Sequence, residues 1–381
     1  MIVFAAFVVA GGGIYSPSAC RTRPSGWVRI ETLRTILAIE TSCDETAAAV
    51  VQDGRRIVSN VIASQVELHR KYGGVFPELA SREHVKAVSL VLGEAKSPLG
   101  GGWGDLDAVA VTHGPGLAGS LLVGVNMAKG IAYGRGLPLL ALNHILSHIY
   151  ANWLLPADRD TVEPVPEEPQ FPLLALVVSG GHTDLVLMRG HGDYRLVGER
   201  IDDAAGEALD KVARLLGLSY PGGPEIERVA ANGLAASVGM PRMRMRDTLN
   251  FSFSGLKTAA LRLVESYGDR NEAPDLGRLP VANIAAAFQE AVVEALVSKT
   301  VEAAQSSGVR QVLLAGGVAA NGRLRHAMSQ ALDGIPLSYP PKRLCTDNAA
   351  MVASAAFYQQ EKALVGWDLD VVPGLRLPAS S

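Results

Sequence analysis

His144 and His148 stand four residues apart in the stretch Asn143-His144-Ile145-Leu146-Ser147-His148, directly after an apolar strand pattern. On a helix that spacing sets both imidazoles on one face, within reach of a single metal ion. The same spacing also serves purely structural pairs. The segment lacks the glutamate of the zinc-protease motif His-Glu-x-x-His, so no general base for water sits between the rings, which argues against a peptidase. A metal here needs a third ligand from elsewhere. Asp347, predicted to open the last helix after Lys342-Arg343-Leu344-Cys345-Thr346, is a suitable hard oxygen donor.

Three glycine turns each close a predicted strand: Gly114-Pro115-Gly116, Ser179-Gly180-Gly181-His182-Thr183 and Gly316-Gly317-Val318-Ala319-Ala320-Asn321. Glycine lets backbone N–H groups approach an anion closely, and a following helix N-terminus adds a favourable dipole. Tight turns alone explain glycines of this kind, but three in one chain favour phosphate binding. No P-loop or Rossmann fingerprint is present, so a nucleotide would be held between lobes. Acids cluster near predicted turns and helix starts: Asp44, Glu45, Asp202, Asp203 and Asp210. Helix capping suits Asp202; holding a ribose or orienting a nucleophile suits Glu45 and Asp210. Pro241-Arg242-Met243-Arg244-Met245-Arg246 reads as a phosphate-contacting stretch or as a solvated surface strand.

The elements that must position these groups follow from periodicity. Strands are predicted at Thr35–Glu40, Ala47–Val51 and Arg56–Ile62, with Asp53-Gly54 as a hairpin turn. A helix at Glu83–Lys96, a strand at Asp107–Thr112, a helix at Ser120–Tyr133, a strand at Leu137–Leu142 and a helix from His144 complete a first lobe. The plan then repeats: strands at Pro172–Ser179, Thr183–Met188 and Tyr194–Glu199, a helix at Asp202–Leu216, and a long amphipathic helix at Ala282–Ala304. A strand at Gln311–Ala315 and helices at Asn321–Leu332 and Asp347–Gln360 follow. Strand, turn, strand, turn, strand is the opening of an RNase-H-like lobe, and its recurrence suggests an internal duplication around a cleft. The expected organisation is an N-terminal extension at 1–34, one lobe at 35–154, a Pro- and acid-rich connecting segment at 155–171, a second lobe with a helical insertion at 172–365, and a tail at 366–381.

Among 381 residues, 48% are hydrophobic and 19% charged, an α/β globular profile long enough for two lobes. The net charge of −3 gives no overall pull toward nucleic acid, so a nucleic-acid partner needs a local basic patch or a companion subunit. Three scattered cysteines fit a reducing compartment. No uninterrupted apolar stretch reaches the roughly 18 residues of a membrane span, so no membrane partner is expected. Residues 1–34 pair an apolar start with later arginines, the reverse of a secretory signal. They read as a disordered extension, or as an organelle transit peptide that would make the location mitochondrial or plastid instead of cytoplasmic.

Together these segments resemble the bacterial branch of the universal tRNA threonylcarbamoyladenosine transferase family, formerly described as glycoproteases. The likeness runs from Ile36 to Gln360. It rests on Ile39-Glu40-Thr41-Ser42-Cys43-Asp44-Glu45-Thr46, Gly73 to Arg82, Gly114 to Leu117, Asn143 to His148, Val178 to Thr183, Asp202 to Lys211, Tyr220-Pro221-Gly222-Gly223-Pro224, Phe251 to Lys257 and Asn321 to Arg325. The resemblance implies an actin/Hsp70/sugar-kinase-like fold of two duplicated RNase-H-like lobes around a nucleotide cleft. It implies transfer of a threonylcarbamoyl group from threonylcarbamoyl-adenylate to the exocyclic amine of adenosine 37 in tRNAs reading codons that begin with A. By that analogy His144, His148 and Asp347 hold one divalent metal, iron first and zinc second. Val177, Val178, Ser179, Gly180, Gly181, Asp210, Gly223 and Asn321 bind the adenylate. Implied partners are tRNA, a paralogous subunit of similar fold, a small ATPase and an upstream adenylate-forming synthase. Glu45, with Asp44 beside it, is the expected catalytic carboxylate, assisting positioning or proton removal, from its place in the first turn. His113 stands where relatives carry a small residue, which leaves a local packing or pocket detail open. The rival readings are an ATPase or kinase of the same fold, which gives the His pair no task, and a non-catalytic paralogue, which predicts loss of His144, His148 or Asp347.

Overall fold

Burial at all six positions makes β1 (Thr35–Glu40) a central strand, covered on both faces. The computed structural model describes residues 33–155, 167–242, 245, 247–267 and 279–377. Most of the N-terminal extension, residues 156–166 of the connecting segment, Met243, Arg244 and Arg246 of the basic stretch, and residues 378–381 of the tail lie outside these. The expectations placed on them lie outside with them. From β1 the chain turns back through β2 (Glu45–Gln52) and, after Asp53 and Gly54 at φ 51 and 68, through β3 (Arg56–Ser64). The positive φ values are those a tight hairpin demands. Helices α1 (Val66–Arg70) and α2 (Pro77–Lys96) follow, then β4 (Ala108–Gly114), α3 (Ala118–Arg135), β5 (Leu139–Asn143) and α4 (His144–Tyr150).

The second lobe contains β6 (Leu173–Val178), β7 (Thr183–Gly190), β8 (Asp193–Gly198), α5 (Ala205–Leu215), α6 (Gly222–Ala230), α7 (Ser254–Glu265), α8 (Val281–Ser307), β9 (Gln311–Ala315), α9 (Gly322–Ala331) and β10 (Leu337–Ser338). The chain closes with α10 (Ala349–Tyr358) and α11 (Gln360–Ala363). Among the described residues the strands form two sheets, ordered β3-β2-β1-β4-β5 and β10-β9-β6-β7-β8. Read from its own third strand, the second is β8-β7-β6-β9-β10, the same order as the first. The pairings also repeat: the first three strands of each sheet are antiparallel and the remaining two add in parallel. The duplication expected from the pattern is therefore a duplication of topology.

Three apolar layers hold the sheets. α2 and α3 cover the outer face of the first sheet, where Val88, Val91, Leu92, Val125 and Ala128 meet Leu37, Ile39 and Val109. α5, α8 and α9 cover the outer face of the second. Between the sheets lie α4 and α10, with Ile145, Ile149 and Ala349–Ala356 against Ile36 and Ala38 on one side and Ala175, Val177 and Ala315 on the other. α10 is buried at eight consecutive positions, nearly all small, so both sheets approach it closely.

Two features differ from the sequence reading. α10, placed by sequence in the second lobe, packs on β1, β2 and α4, and the chain beyond it stays with the first sheet. Val365 N donates to Leu139 O, Val372 N to His113 O and Gly116 N to Pro373 O. Sequence order cannot show such a return. α8, read as amphipathic, is buried without interruption from Ile284 to Gln289, so its apolar surface exceeds one stripe there. α8 is also long and apolar enough to cross a membrane by length and composition, yet Ile284, Phe288 and Leu296 are fully buried in the second lobe's own core.

Candidate metal and nucleotide site

Asn143 ends β5 and caps α4: its Oδ1 accepts from Ile145 N at 2.8 Å and Leu146 N at 3.2 Å. This cap fixes the first helical turn, and with it the direction of His144 and His148. Asp347 does not open α10 as expected. Asn348 does, accepting from Met351 N at 3.0 Å and donating to Thr346 O at 2.8 Å, which leaves the Asp347 carboxylate free to turn toward the histidines. Asp347 Oδ1 lies 3.1 Å from His148 Nε2 and 3.7 Å from His144 Nε2. One ligand atom from each of the three residues lies within 4.8 Å of the other two.

The donor set fits a divalent ion. His148 is 1% exposed, yet neither of its ring nitrogens has an aligned hydrogen-bond partner. Buried imidazole nitrogens are normally satisfied, and these converge with a second imidazole on a carboxylate, the mixed nitrogen and oxygen set that suits zinc or iron. Burial pulls the His144 pKa down, but the charges of Asp347 and Glu40 outweigh it and lift it to about 9. Burial likewise pushes the Asp347 carboxyl up, and the His144 and His148 rings more than offset this, holding it well below the carboxylate range.

The glycine turns divide by what their N–H groups already do. Gly180 and Gly181 are exposed, with nothing within 4 Å of where a side chain would begin. They stand between the buried Val177 and Val178 and His182, and Ser179 closes the turn: its N donates to His182 O at 2.9 Å and its Oγ accepts from His182 N at 3.2 Å. Burial, reinforced by the charge of His144, lowers His182 to about 3. The Gly316 turn lies against the same strand end, where a Cβ on Gly316 would sit 2.5 Å from Val178 O at a φ of 87. Gly316→Ala is expected to destabilise the protein by roughly 1–3 kcal/mol, measured by urea unfolding, because strain and collision act together. Asn321 caps α9 through Leu324 N at 2.9 Å and donates to Gln289 Oε1 at 2.9 Å.

The third turn is different. Gly116 N donates to Pro373 O at 3.1 Å, Leu117 N donates to Ser42 O at 2.8 Å, and a Cβ on Gly116 would meet Ser42 O at 2.6 Å. Its glycines permit close packing, and its N–H groups are not available to an anion. The His113 backbone O accepts from Val372 N at 2.8 Å, in the returning C-terminal segment.

The acids separate in the same way. Asp44 and Glu45 stand at the β1–β2 turn. Burial, with the Asp347 charge, raises the Asp44 carboxyl. Burial lifts Glu45 to about 7, although Ser64 Oγ donates to its Oε1 at 2.8 Å; its Oε2 is buried with no partner. Asp210, on α5, accepts from Gly222 N at 2.7 Å, and its carboxyl is raised by burial and by the Asp44 charge. That bond brings Asp210 and the Gly223 turn together.

Asp202 does not cap its own helix. It reaches 50 residues ahead to the start of α7, accepting from Ser252 Oγ at 2.5 Å, Phe253 N at 2.8 Å and Ser254 Oγ at 2.6 Å. Lys211 and Lys257 both pair with Asp203. The two acids thus anchor the Phe251–Lys257 segment, and neither is part of the metal cluster. Burial raises the Asp202 carboxyl, but these hydrogen bonds more than offset it and the pKa is lowered. Asp202→Ala is expected to cost about 1–3 kcal/mol in urea unfolding. Because the folded pKa is lowered, the difference from wild type shrinks as the pH falls below about 4.

Sequence reasoning missed three residues at this site. Glu40, fully buried, accepts from Ser42 N at 2.6 Å and Thr112 Oγ1 at 2.6 Å and faces His144 Nδ1 at 3.2 Å. Strand alternation carries the signal: Ile36, Ala38 and Glu40 share the face that meets α4. His182 and Tyr220 are the others. Burial and the charges of Asp44 and Asp210 push the Tyr220 phenol up, and its backbone O accepts from Arg70 Nε at 3.0 Å.

Comparison with known proteins gives a consistent result. The sequence model of the family described as tRNA N6-adenosine threonylcarbamoyltransferase matches residues 56–354. Proteins of that name from Thermomicrobium roseum and Symbiobacterium thermophilum are 54% and 55% identical to the chain. Each alignment covers 90% of this chain and 96% of the relative. Among solved structures, HypF of T. kodakarensis superposes with a TM-score of 0.57 at 15% identity, covering 88% of this chain and 49% of that one. That likeness shows the fold alone, and the fold is the actin/Hsp70/sugar-kinase-like one.

Proposed function

Because the chain belongs to the tRNA N6-adenosine threonylcarbamoyltransferase family and is a transferase that modifies tRNA, we propose that its inter-lobe cleft binds threonylcarbamoyl-adenylate and delivers the acyl group to the exocyclic amine of adenosine 37. The observation that carries the reading is the convergence of one ligand atom each from His144, His148 and Asp347. The three residues would hold one divalent ion, iron before zinc. When bound, such an ion supplies Lewis-acid polarisation of the substrate carbonyl.

The chain's own residues do the rest. The donor is already activated by its adenylate leaving group, so no covalent nucleophile on the protein is needed. The N–H groups of Gly180 and Gly181 stabilise the departing phosphate. Val177, Val178 and Ser179 hold that turn in place. Asp210, Gly223 and Asn321 orient the nucleoside from the second lobe. Glu45, with its pKa of about 7 and one oxygen without a partner, takes the proton lost by the attacking amine, and the carboxylate of Asp44 lies beside it. Holding amine and carbonyl in line supplies much of the remaining rate.

The same reading includes tRNAs that read codons beginning with A, a paralogous subunit of similar fold, a small ATPase and an upstream synthase as partners, and a cytoplasmic setting. Transfer of labelled threonine in a mixture of ATP, bicarbonate, synthase and partners tests it. An unmodified tRNA reading an ANN codon should take up label, and the same tRNA with guanosine at position 37 should not. Equal labelling of both would remove adenosine 37 as the target.

A further inference from the structure

We propose that Glu40 is a positioning residue for the metal site, holding the His144 ring so that Nε2, and not Nδ1, presents its lone pair to the ion. The inference rests on the reading of His144, His148 and Asp347 as metal ligands. Glu40 ends β1 on the face toward α4 and is 0% exposed. A carboxylate so deep is costly unless each oxygen is engaged. Oε1 accepts from Ser42 N at 2.6 Å, and Oε2 accepts from Thr112 Oγ1, on the neighbouring strand β4, at 2.6 Å. Those two bonds fix the carboxylate to the sheet.

Oε2 also lies 3.2 Å from His144 Nδ1, and Ser42 Oγ lies 3.1 Å from the same nitrogen. An ionised carboxylate only accepts, so it requires a proton on Nδ1. Neutral imidazole then carries its lone pair on Nε2, the atom that faces Asp347 Oδ1. The opposite tautomer would set a ring lone pair against the carboxylate and leave an N–H pointing at the cation. Glu40 also sets the plane of the ring, because its own orientation is held from the backbone of Ser42 and from β4. A histidine ligand whose second nitrogen donates to a carboxylate is a recurrent arrangement at metal sites, and loss of the carboxylate typically weakens metal binding 10–100-fold. His148 Nδ1 has no such partner among the described residues. His144 is therefore the ligand whose second nitrogen is held by a carboxylate, and His148 is placed by its helix and by Asp347.

The test is zinc titration of the full-length metal-free protein by calorimetry, wild type beside Glu40→Gln, with thermal unfolding of both. The amide keeps the size of the side chain and removes its charge. The expected result is one zinc per wild-type chain and a 10–100-fold weaker Kd in Glu40→Gln. Equal affinity in a folded variant overturns the proposal. Absence of zinc or iron binding by wild type would instead overturn the metal reading, and the proposal with it. Should Glu40→Gln not fold, 15N histidine spectra of zinc-loaded wild type decide. A protonated Nδ1 and zinc-bound Nε2 on His144, assigned by comparison with His144→Gln, is expected, and zinc on Nδ1 overturns the proposal.

Discussion

Replacing His148 with alanine is expected to abolish tight binding of the divalent ion and to slow threonylcarbamoyl transfer by about three orders of magnitude. His148 is fully buried on α4, and its Nε2 lies 3.1 Å from Asp347 Oδ1. Asn143 still caps the helix when the ring is lost. Stability should fall by the packing of one imidazole and by the loss of its support for the buried Asp347 carboxylate, while the ion loses a ligand outright. Metal content by mass spectrometry, read beside transfer at saturating donor, separates the two effects. A variant that unfolds with wild-type cooperativity, carries no ion and transfers at background is the expected outcome. A variant without metal that transfers at the wild-type rate would show that the ion has no part in the reaction. Asp347→Ala should behave alike for the metal. It also removes the charge that, with Glu40, lifts the His144 pKa to about 9.

Glu45→Gln is expected to lower single-turnover transfer by 10²–10⁴, the usual contribution of a positioned general base. The stronger signature is in the pH profile. Burial raises Glu45 to about 7, so at pH 6 most of it is protonated and cannot accept the amine proton. The wild-type rate should rise about tenfold per pH unit below 7 and flatten above it. In Glu45→Gln that limb should vanish and leave a slow, pH-independent rate through this range. Persistence of the limb would assign it to another group. Asp44, also raised by burial, would be the next to replace.

Much of this arrangement can be read before any coordinates are known, and the reason differs from residue to residue. β1, β2 and β3 are short apolar runs bounded by polar or glycine turns, and local sequence decides such elements. His144 and His148 share a helix, so their proximity is a matter of period. Asp347 lies far from them in sequence, and its place depends on α10 returning to the first lobe, which no local pattern encodes. The same return decides the fate of the Gly114-Pro115-Gly116 turn. Its N–H groups meet Pro373 and Ser42, both remote in the chain, so its likeness to the open Gly180-Gly181 turn ends at composition. Asp202 looks like a local cap because acids before helices usually are; the competing donors of Ser252, Phe253 and Ser254 prevail because α7 starts where its carboxylate points. Glu40 is the opposite case. Its place in the predicted strand and its alternation with Ile36 and Ala38 mark it as facing inward, but its partners Thr112 and His144 lie 72 and 104 residues away, which no local pattern reveals.

Transfer and the metal's part in it are tested together by one measurement, the mass of the nucleosides released from unmodified tRNA. The tRNA is first incubated with the protein, threonine, bicarbonate, ATP, the synthase and the partner subunits. Metal-loaded protein should yield threonylcarbamoyladenosine beside the anticodon, protein stripped by a chelator should yield none, and restoring the ion should restore the product. Product formed equally by the stripped protein would contradict the role given to His144, His148 and Asp347. No product from the loaded protein, in a mixture where an active relative forms it, would contradict the transfer itself.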